Sequence, residues 1–149
     1  MSSTPGDLQA HLQGLVVTRL WALLDGFEAR LARALEPMGL TVAGYRLVGE
    51  VMRSPEGLTQ SELARRLGVR PPTVSAAVSQ LQAAGVIERR PDPGDARAYR
   101  IHLAGDAQLG PGVAVLETLE AELVGTLDEA DRARLLTLLE QVAGRLQAP

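Results

Sequence analysis

The chain contains no cysteine and no lysine, and its only aromatic residues are Trp21, Phe27, Tyr45 and Tyr99. The first absence excludes disulfides, cysteine-ligated metals and a thiol redox switch. The second leaves arginine as the sole strong cation, a guanidinium suited to bidentate bonds with phosphate and guanine; a coding bias gives the same composition, so it carries no functional conclusion. No run approaches the eighteen or so apolar residues of a membrane span, and the start MSSTPGDLQA lacks the basic-then-apolar order of a signal peptide. A soluble, cytoplasmic protein without a membrane partner is expected. The glycines stand at helix ends rather than in GxGxxG or GxxxxGKS order, and no nucleophile and base pair up, so no enzyme is expected. His11 and His102 are far apart in sequence and lack carboxylate companions, so neither a metal site nor a cofactor is expected. Asp128, Glu129 and Asp131 do cluster, but at a helix start, where capping and the helix dipole account for them.

What is present is ordinary globular material: 149 residues, 46% hydrophobic and 22% charged, enough for one compact domain with or without a helical extension. The net charge of -3 is unevenly spread. Residues 58–101 hold seven arginines against four carboxylates, residues 1–57 five against six, and residues 102–149 three against eight. A positive middle between negative ends is the footprint of one face that meets phosphate.

That middle, LTQSELARRLGVRPPTVSAAVSQLQAAGVIERR from Leu58 to Arg90, reads as two short helices joined by a glycine turn and followed by a strand. Thr59 and Glu62 form a capping box. Leu63, Ala64 and Leu67 make one apolar stripe, and Gly68 ends the helix in the left-handed conformation. Pro71 and Pro72 are tolerated only in a first turn, so a second helix starts near Arg70 to Pro72. Val74, Ala77, Val78 and Leu81 are its buried stripe, and Gly85 stops it. Thr73, Ser75, Ala76, Ser79, Gln80 and Gln82 remain for other faces, small and hydrogen-bonding groups of the kind that approach base edges. Beyond it, Val86 to Arg90 and Ala98 to Leu103 flank the turn-rich PDPGDAR, with Tyr99, Ile101 and Leu103 alternating against Arg100 and His102. This predicts a β-hairpin. Asp95 is expected to hold the Arg97 guanidinium at the hairpin tip, aimed at a narrow minor groove, while Arg89, Arg90 and Arg100 line the stalk.

On the LTQSELARRLGV helix, the TVS run at Thr73 to Ser75, the AAGVIERR exit, Asp95-x-Arg97 and Ile101-x-Leu103, the segment Leu40 to Leu103 resembles the winged-helix domain of the MarR (multiple-antibiotic-resistance regulator) family of bacterial and archaeal transcription factors. There are departures. Ala76 stands where many members place arginine, Ser79 and Gln80 where an acidic residue often precedes Arg-Leu, and Leu103-Ala104 replaces Leu-Thr, displacing the next helix cap to Asp106. Direct base readout is accordingly expected to be sparser than in a typical member.

The flanks carry further stripes. Leu8, Leu12, Leu15, Val16, Leu20, Leu23, Leu24, Phe27, Leu31 and Leu35 predict one helix of roughly 45 Å, ended by Pro37 and Gly39. Val113, Leu116, Leu119, Leu123 and Leu127 form a second stripe; Leu135, Leu138, Leu139, Val142 and Leu146 form a third, capped by Asp128. These faces would be buried best against a copy of the chain. The expected fold is mainly α with a small β-hairpin wing (α+β): residues 1–39 an N-terminal dimerisation helix, 40–104 the winged helix-turn-helix, 105–149 C-terminal dimerisation helices.

Together these readings point to a homodimeric transcriptional regulator, a repressor on a pseudo-palindromic double-stranded DNA operator with half-sites about 10 base pairs apart. The candidate contacts are Arg70, Pro72, Thr73, Ser75, Ala76, Ser79 and Gln80 on the reading helix and Arg89, Arg90, Asp95 and Arg97 on the wing. The resemblance implies a small-molecule effector between the first helix, the Val42 to Met52 helix and the helix after the wing, with Trp21, Tyr45 and Arg46 as candidates. The rival reading is a winged helix that has lost DNA and serves as a protein-interaction module.

Overall fold

A computed structural model of the chain describes residues 4–147, in two compact units that divide between Gly112 and Val113. The first opens with α1 (Pro5–Gly14), started by a capping box the periodicity alone did not reveal. The Thr4 hydroxyl accepts the Asp7 amide at 3.2 Å, the Asp7 carboxylate accepts the Thr4 amide at 3.1 Å, and Pro5 occupies the first turn. α2 (Val16–Leu35) follows a break at Leu15, whose φ of -77° and ψ of 133° are extended. The single N-terminal helix expected from the leucine stripe is therefore two. Gly14 and the β-branched Val16, Val17 and Thr18 concentrate weak helix formers within five residues, whereas Gly26 stands alone inside α2, and the helix yields where they cluster. A 3₁₀ turn, Glu36–Met38, closes on Gly39 in the left-handed region, as Pro37 and Gly39 foretold.

Next come α3 (Val42–Met52), α4 (Gln60–Leu67), α5 (Pro71–Ala83) and an antiparallel hairpin of β1 (Ile87–Asp92) and β2 (Asp95–Leu103). Each boundary has a local cause. The Thr41 hydroxyl caps α3 by accepting the Gly44 amide at 3.0 Å, and the Thr59/Glu62 capping box starts α4 as expected. Gly68 at φ 65° and Gly85 at φ 70° take the left-handed positions after α4 and α5. The Val69 amide then reaches the Ala64 carbonyl at 3.1 Å, and the Val86 amide the Leu81 carbonyl at 2.9 Å. Leu47 and Val51 of α3, Leu63 and Leu67 of α4, Val74, Val78 and Leu81 of α5, and Ile87 and Ile101 of the hairpin meet in one core. At roughly 1.5–3 kcal/mol for each large apolar side chain buried, that core fixes α5 against the hairpin.

Leu58 extends the sheet by one residue. Its amide donates to the Ile101 carbonyl at 3.0 Å and its carbonyl accepts the Ile101 amide at 2.7 Å. The corner before it is tight: Gly57 has φ 72°, and a Cβ there would lie 2.3 Å from Nε2 of His102.

α6 (Gly110–Val124) does not begin at Asp106 as expected. Pro111 fits only a first turn, which sets the start at Gly110. In the second unit Asp128 caps α7 (Glu129–Gln147), its Oδ1 accepting the Asp131 amide at 2.8 Å, and Arg132 pairs with Glu120. Leu116, Leu123, Leu138, Leu139 and Val142 are exposed. Among the described residues no helix is long and apolar enough to cross a membrane.

Candidate nucleic-acid interface

α5 divides as its spacing predicted. Val74, Ala77, Val78 and Leu81 are buried, while Arg70, Pro72, Thr73, Ser75, Ala76, Ser79 and Gln80 are exposed. Gln80 is nonetheless committed elsewhere: its amide donates to the carbonyl of Gly39, in the turn after α2. The end of that turn comes over the helix from 41 residues away, which no helical wheel can reveal.

The hairpin tip is tighter than the sequence implied. Asp92 Oδ1 accepts the Gly94 amide at 2.7 Å, leaving Pro93 and Gly94 alone between the strands. The register passes from Pro91 opposite Tyr99 to Asp92 opposite Asp95, so residues 96–98 have no counterparts on β1. Arg97 is the centre of that bulge and is exposed. The expected Asp95–Arg97 ion pair does not form. Asp95 Oδ1 instead accepts the Arg97 backbone amide at 2.9 Å, because an aspartate two residues before an amide closes a local turn more readily than it reaches a long side chain. The bulge, not a carboxylate clamp, presents the guanidinium.

The other wing arginines separate by role. Arg100 Nε donates to Asp92 Oδ2 at 2.7 Å and its Nη1 to the Gly57 carbonyl at 3.1 Å, bracing the stalk against the corner before α4. Arg90 is held by Glu88, with Nε donating at 2.8 Å. Among the described residues, no hydrogen bond or ion pair holds the guanidinium of Arg70, Arg89 or Arg97. Glu62 is held below the ordinary carboxylate range, first by the Thr59 amide and then by its hydroxyl, with Arg100 and Arg66 adding to the effect. Asp92 is lowered first by the Gly94 amide and then by Arg100.

The three effector candidates are engaged differently. Trp21 is 72% exposed. The half-buried Tyr45 hydroxyl donates to the Gly112 carbonyl at 2.9 Å, and burial raises its pKa. Arg46 Nη2 donates to the Leu67 carbonyl at 3.3 Å, at the C-terminal end of α4. Among the described residues no hydrogen bond links any two of the three. Sequence reasoning passed over Gln60 and Tyr99, which with Arg89 and Ile101 line one open depression beside the wing; the signal was the alternation that sets Tyr99 on the face of Ile101, with Arg89 paired opposite Ile101.

The sequence profile of the MarR family matches residues 38–98, from the end of the 3₁₀ turn to the wing tip. That segment of the chain is similar to the MarR family. The chain's fold agrees along nearly the whole length. A MarR transcriptional regulator from Methanosarcina mazei Go1 superposes with a TM-score of 0.75 at 20% identity, covering 87% of this chain and 94% of that one. The crystal structure of MarR gives 0.73 at 24% identity, covering 89% and 98%. CouR from Rhodococcus jostii RHA1, solved bound to p-coumaroyl-CoA, gives 0.69 at 20% identity, covering 89% and 94%. The matched segment is the one whose α5, bulge and braced stalk are described above, and the chain has the fold of these MarR-family structures.

Proposed function

We propose that the chain is a sequence-specific, DNA-binding transcriptional repressor acting as a homodimer on an inverted-repeat operator. The observation that carries this reading is the pairing of an α5 face of small polar side chains with an unpaired, bulge-mounted arginine on the adjoining wing. Thr73, Ser75, Ala76 and Ser79 would enter a major groove, with Arg70 and Pro72 at the helix start against the backbone. Arg97 would enter the flanking minor groove, where the negative potential is greatest. Arg90 and Asp95 serve this by shaping the wing, and Arg89 by contacting phosphate.

Homodimerisation draws support from α2. Val17, Trp21 and Leu24 recur at i, i+4 and i+7 and are 67%, 72% and 67% exposed, an apolar surface that a soluble monomer rarely leaves open. A two-fold axis would set two reading helices about 34 Å apart, one turn of B-DNA. A dimer occupying a promoter blocks polymerase, hence repression. Release by a small-molecule effector belongs to the proposal on the precedent of CouR and its bound acyl-CoA. Selection of bound sequences from random duplexes tests the reading: an inverted repeat with half-sites about 10 base pairs apart is expected, and no enrichment would refute it. The methyl of Ala76 and the diversion of Gln80 to Gly39 favour the rival protein-interaction module. Affinity for duplex that is flat in salt would decide for the rival, because phosphate contacts make log K fall linearly with log salt.

A further inference from the structure

Between a reading helix in a major groove and a wing in the next minor groove, one sugar-phosphate strand has to pass, and the first helix of a helix-turn-helix crosses the backbone. Where the start of that first helix, α4, meets the wing, the structure has a depression of about 210 Å³, far above the ~15 Å³ that one water needs, lined by Gln60, Arg89, Tyr99 and Ile101. The three polar liners come from three elements. Gln60 is the first residue of α4, Arg89 lies in β1 and Tyr99 in β2, where Arg89 is paired opposite Ile101 and Tyr99 precedes Ile101 by two on the same face. Ile101 is buried and forms the floor. Among the described residues the Gln60 amide, the Arg89 guanidinium and the Tyr99 hydroxyl have no protein partner. The chain's other tyrosine, by contrast, is bonded internally to Gly112. Three unspent donors, one of them cationic, on an open depression with an apolar floor complement a phosphodiester and its adjoining sugar.

We propose that Gln60, Arg89 and Tyr99 form a phosphate clamp that seats the DNA backbone between helix and wing, with Gln60 and Tyr99 as contacts additional to those of the reading helix and wing tip. The clamp rests on the DNA-binding reading and fixes where the strand runs. Its contacts carry no base information, so it acts on all sequences alike. Arg89 supplies the charge; Tyr99 supplies a hydroxyl donor and a ring against the sugar.

The test uses the full-length chain and a random-sequence duplex of about 30 base pairs, with anisotropy titrations between 50 and 300 mM salt, on the order of the range over which phosphate contacts are read. Arg89→Gln is expected to lower the slope of log K against log salt by about one, as loss of one phosphate contact does. Tyr99→Phe and Gln60→Ala are expected to weaken binding about three- to tenfold at unchanged slope, each losing a neutral donor to a charged oxygen. The same fold-loss on two unrelated duplexes is required. Tyr99→Phe differs by a single hydroxyl that bonds nothing in the protein, so its circular dichroism and thermal midpoint should match the parent. If the parent binds and both Tyr99→Phe and Gln60→Ala bind within twofold of it, the clamp is overturned while the DNA-binding reading stands. If their losses differ between the two duplexes, the contact is to bases and the clamp is overturned. A parent that ignores duplex at low salt overturns both.

Discussion

Arg97 and Gln80 are both exposed polar side chains, yet the structure employs them in opposite ways. Arg97 is exposed and its guanidinium has no protein partner among the described residues, so Arg97→Ala removes no side-chain bond; the thermal midpoint should stay within a degree or two while duplex affinity falls more than about tenfold, the scale of one good charged contact. An equal loss of stability would make it a structural residue. Gln80 holds the Gly39 carbonyl, so Gln80→Ala should leave the selected DNA motif unchanged and lower the midpoint by about 2–4 °C, the effect of one hydrogen bond in a chain of this size. A changed motif would return Gln80 to the bases. Gly57 is the third residue whose neighbours decide its role. With φ at 72° and a virtual Cβ 2.3 Å from the His102 ring, Gly57→Ala carries the left-handed penalty of about 1 kcal/mol and a clash besides. His102→Ala in the same chain should recover the steric share only, and a double-mutant cycle on urea unfolding measures it.

Among the elements, the junction of α4 with the wing carries a charged contact, with Arg100 Nη1 4.0 Å from Glu62 Oε2. Glu62 and Asp92 are both kept ionised below the usual carboxylate range, so the folded chain gives up stability as protons arrive. A depressed carboxylate contributes in full above its unfolded value of about 4.3 for Glu or 3.9 for Asp, and loses that contribution as pH falls through the folded value. Thermal midpoints should accordingly be level near neutrality and fall below about pH 4. Glu62→Gln, which can still cap α4, should flatten that fall; an unaltered profile would mean the junction is not held by Glu62's charge. The helices around this junction were legible in the sequence because their causes are local. Thr59 to Gly68 and Pro71 to Gly85 each carry a start, a stripe and a stop. The break at Leu15 was legible in principle, from Gly14 before it and the β-branched Val16, Val17 and Thr18 after it, but the unbroken leucine spacing outweighed it. The bulge at residues 96–98 was not legible, because it depends on whether Asp92 and Asp95 bond backbone amides or side chains, a contest of similar energies. Nor was the depression lined by Gln60, Arg89 and Tyr99, whose members are drawn together only by the packing of helix on hairpin.

For the molecule as a whole, charge and apolar surface are segregated along the chain. The arginine excess lies in residues 58–101 and the carboxylate excess in residues 102–149, while the exposed apolar side chains concentrate on the helices outside the winged helix, α2 among them. A self-association that uses α2 leaves the positive segment free for phosphate, and gives each dimer two reading helices for two half-sites. Placing a carboxylate in that apolar row sets the two ideas against each other. Trp21→Glu with Leu24→Glu puts two unpaired charges where a copy of α2 would pack, at a cost larger than a standard interface of about 800 Å² per partner can absorb. Because both side chains are mostly exposed in the single chain, its own fold should survive, with helical circular dichroism retained. Sedimentation should then show a monomer in place of a dimer, and affinity for a two-half-site duplex should fall by a hundredfold or more, on the order of what losing one of two linked contacts costs. A folded variant that still sediments as a dimer would move the self-association surface away from α2. A monomer that keeps full affinity would show that one winged helix suffices, and the inverted-repeat operator would go with it.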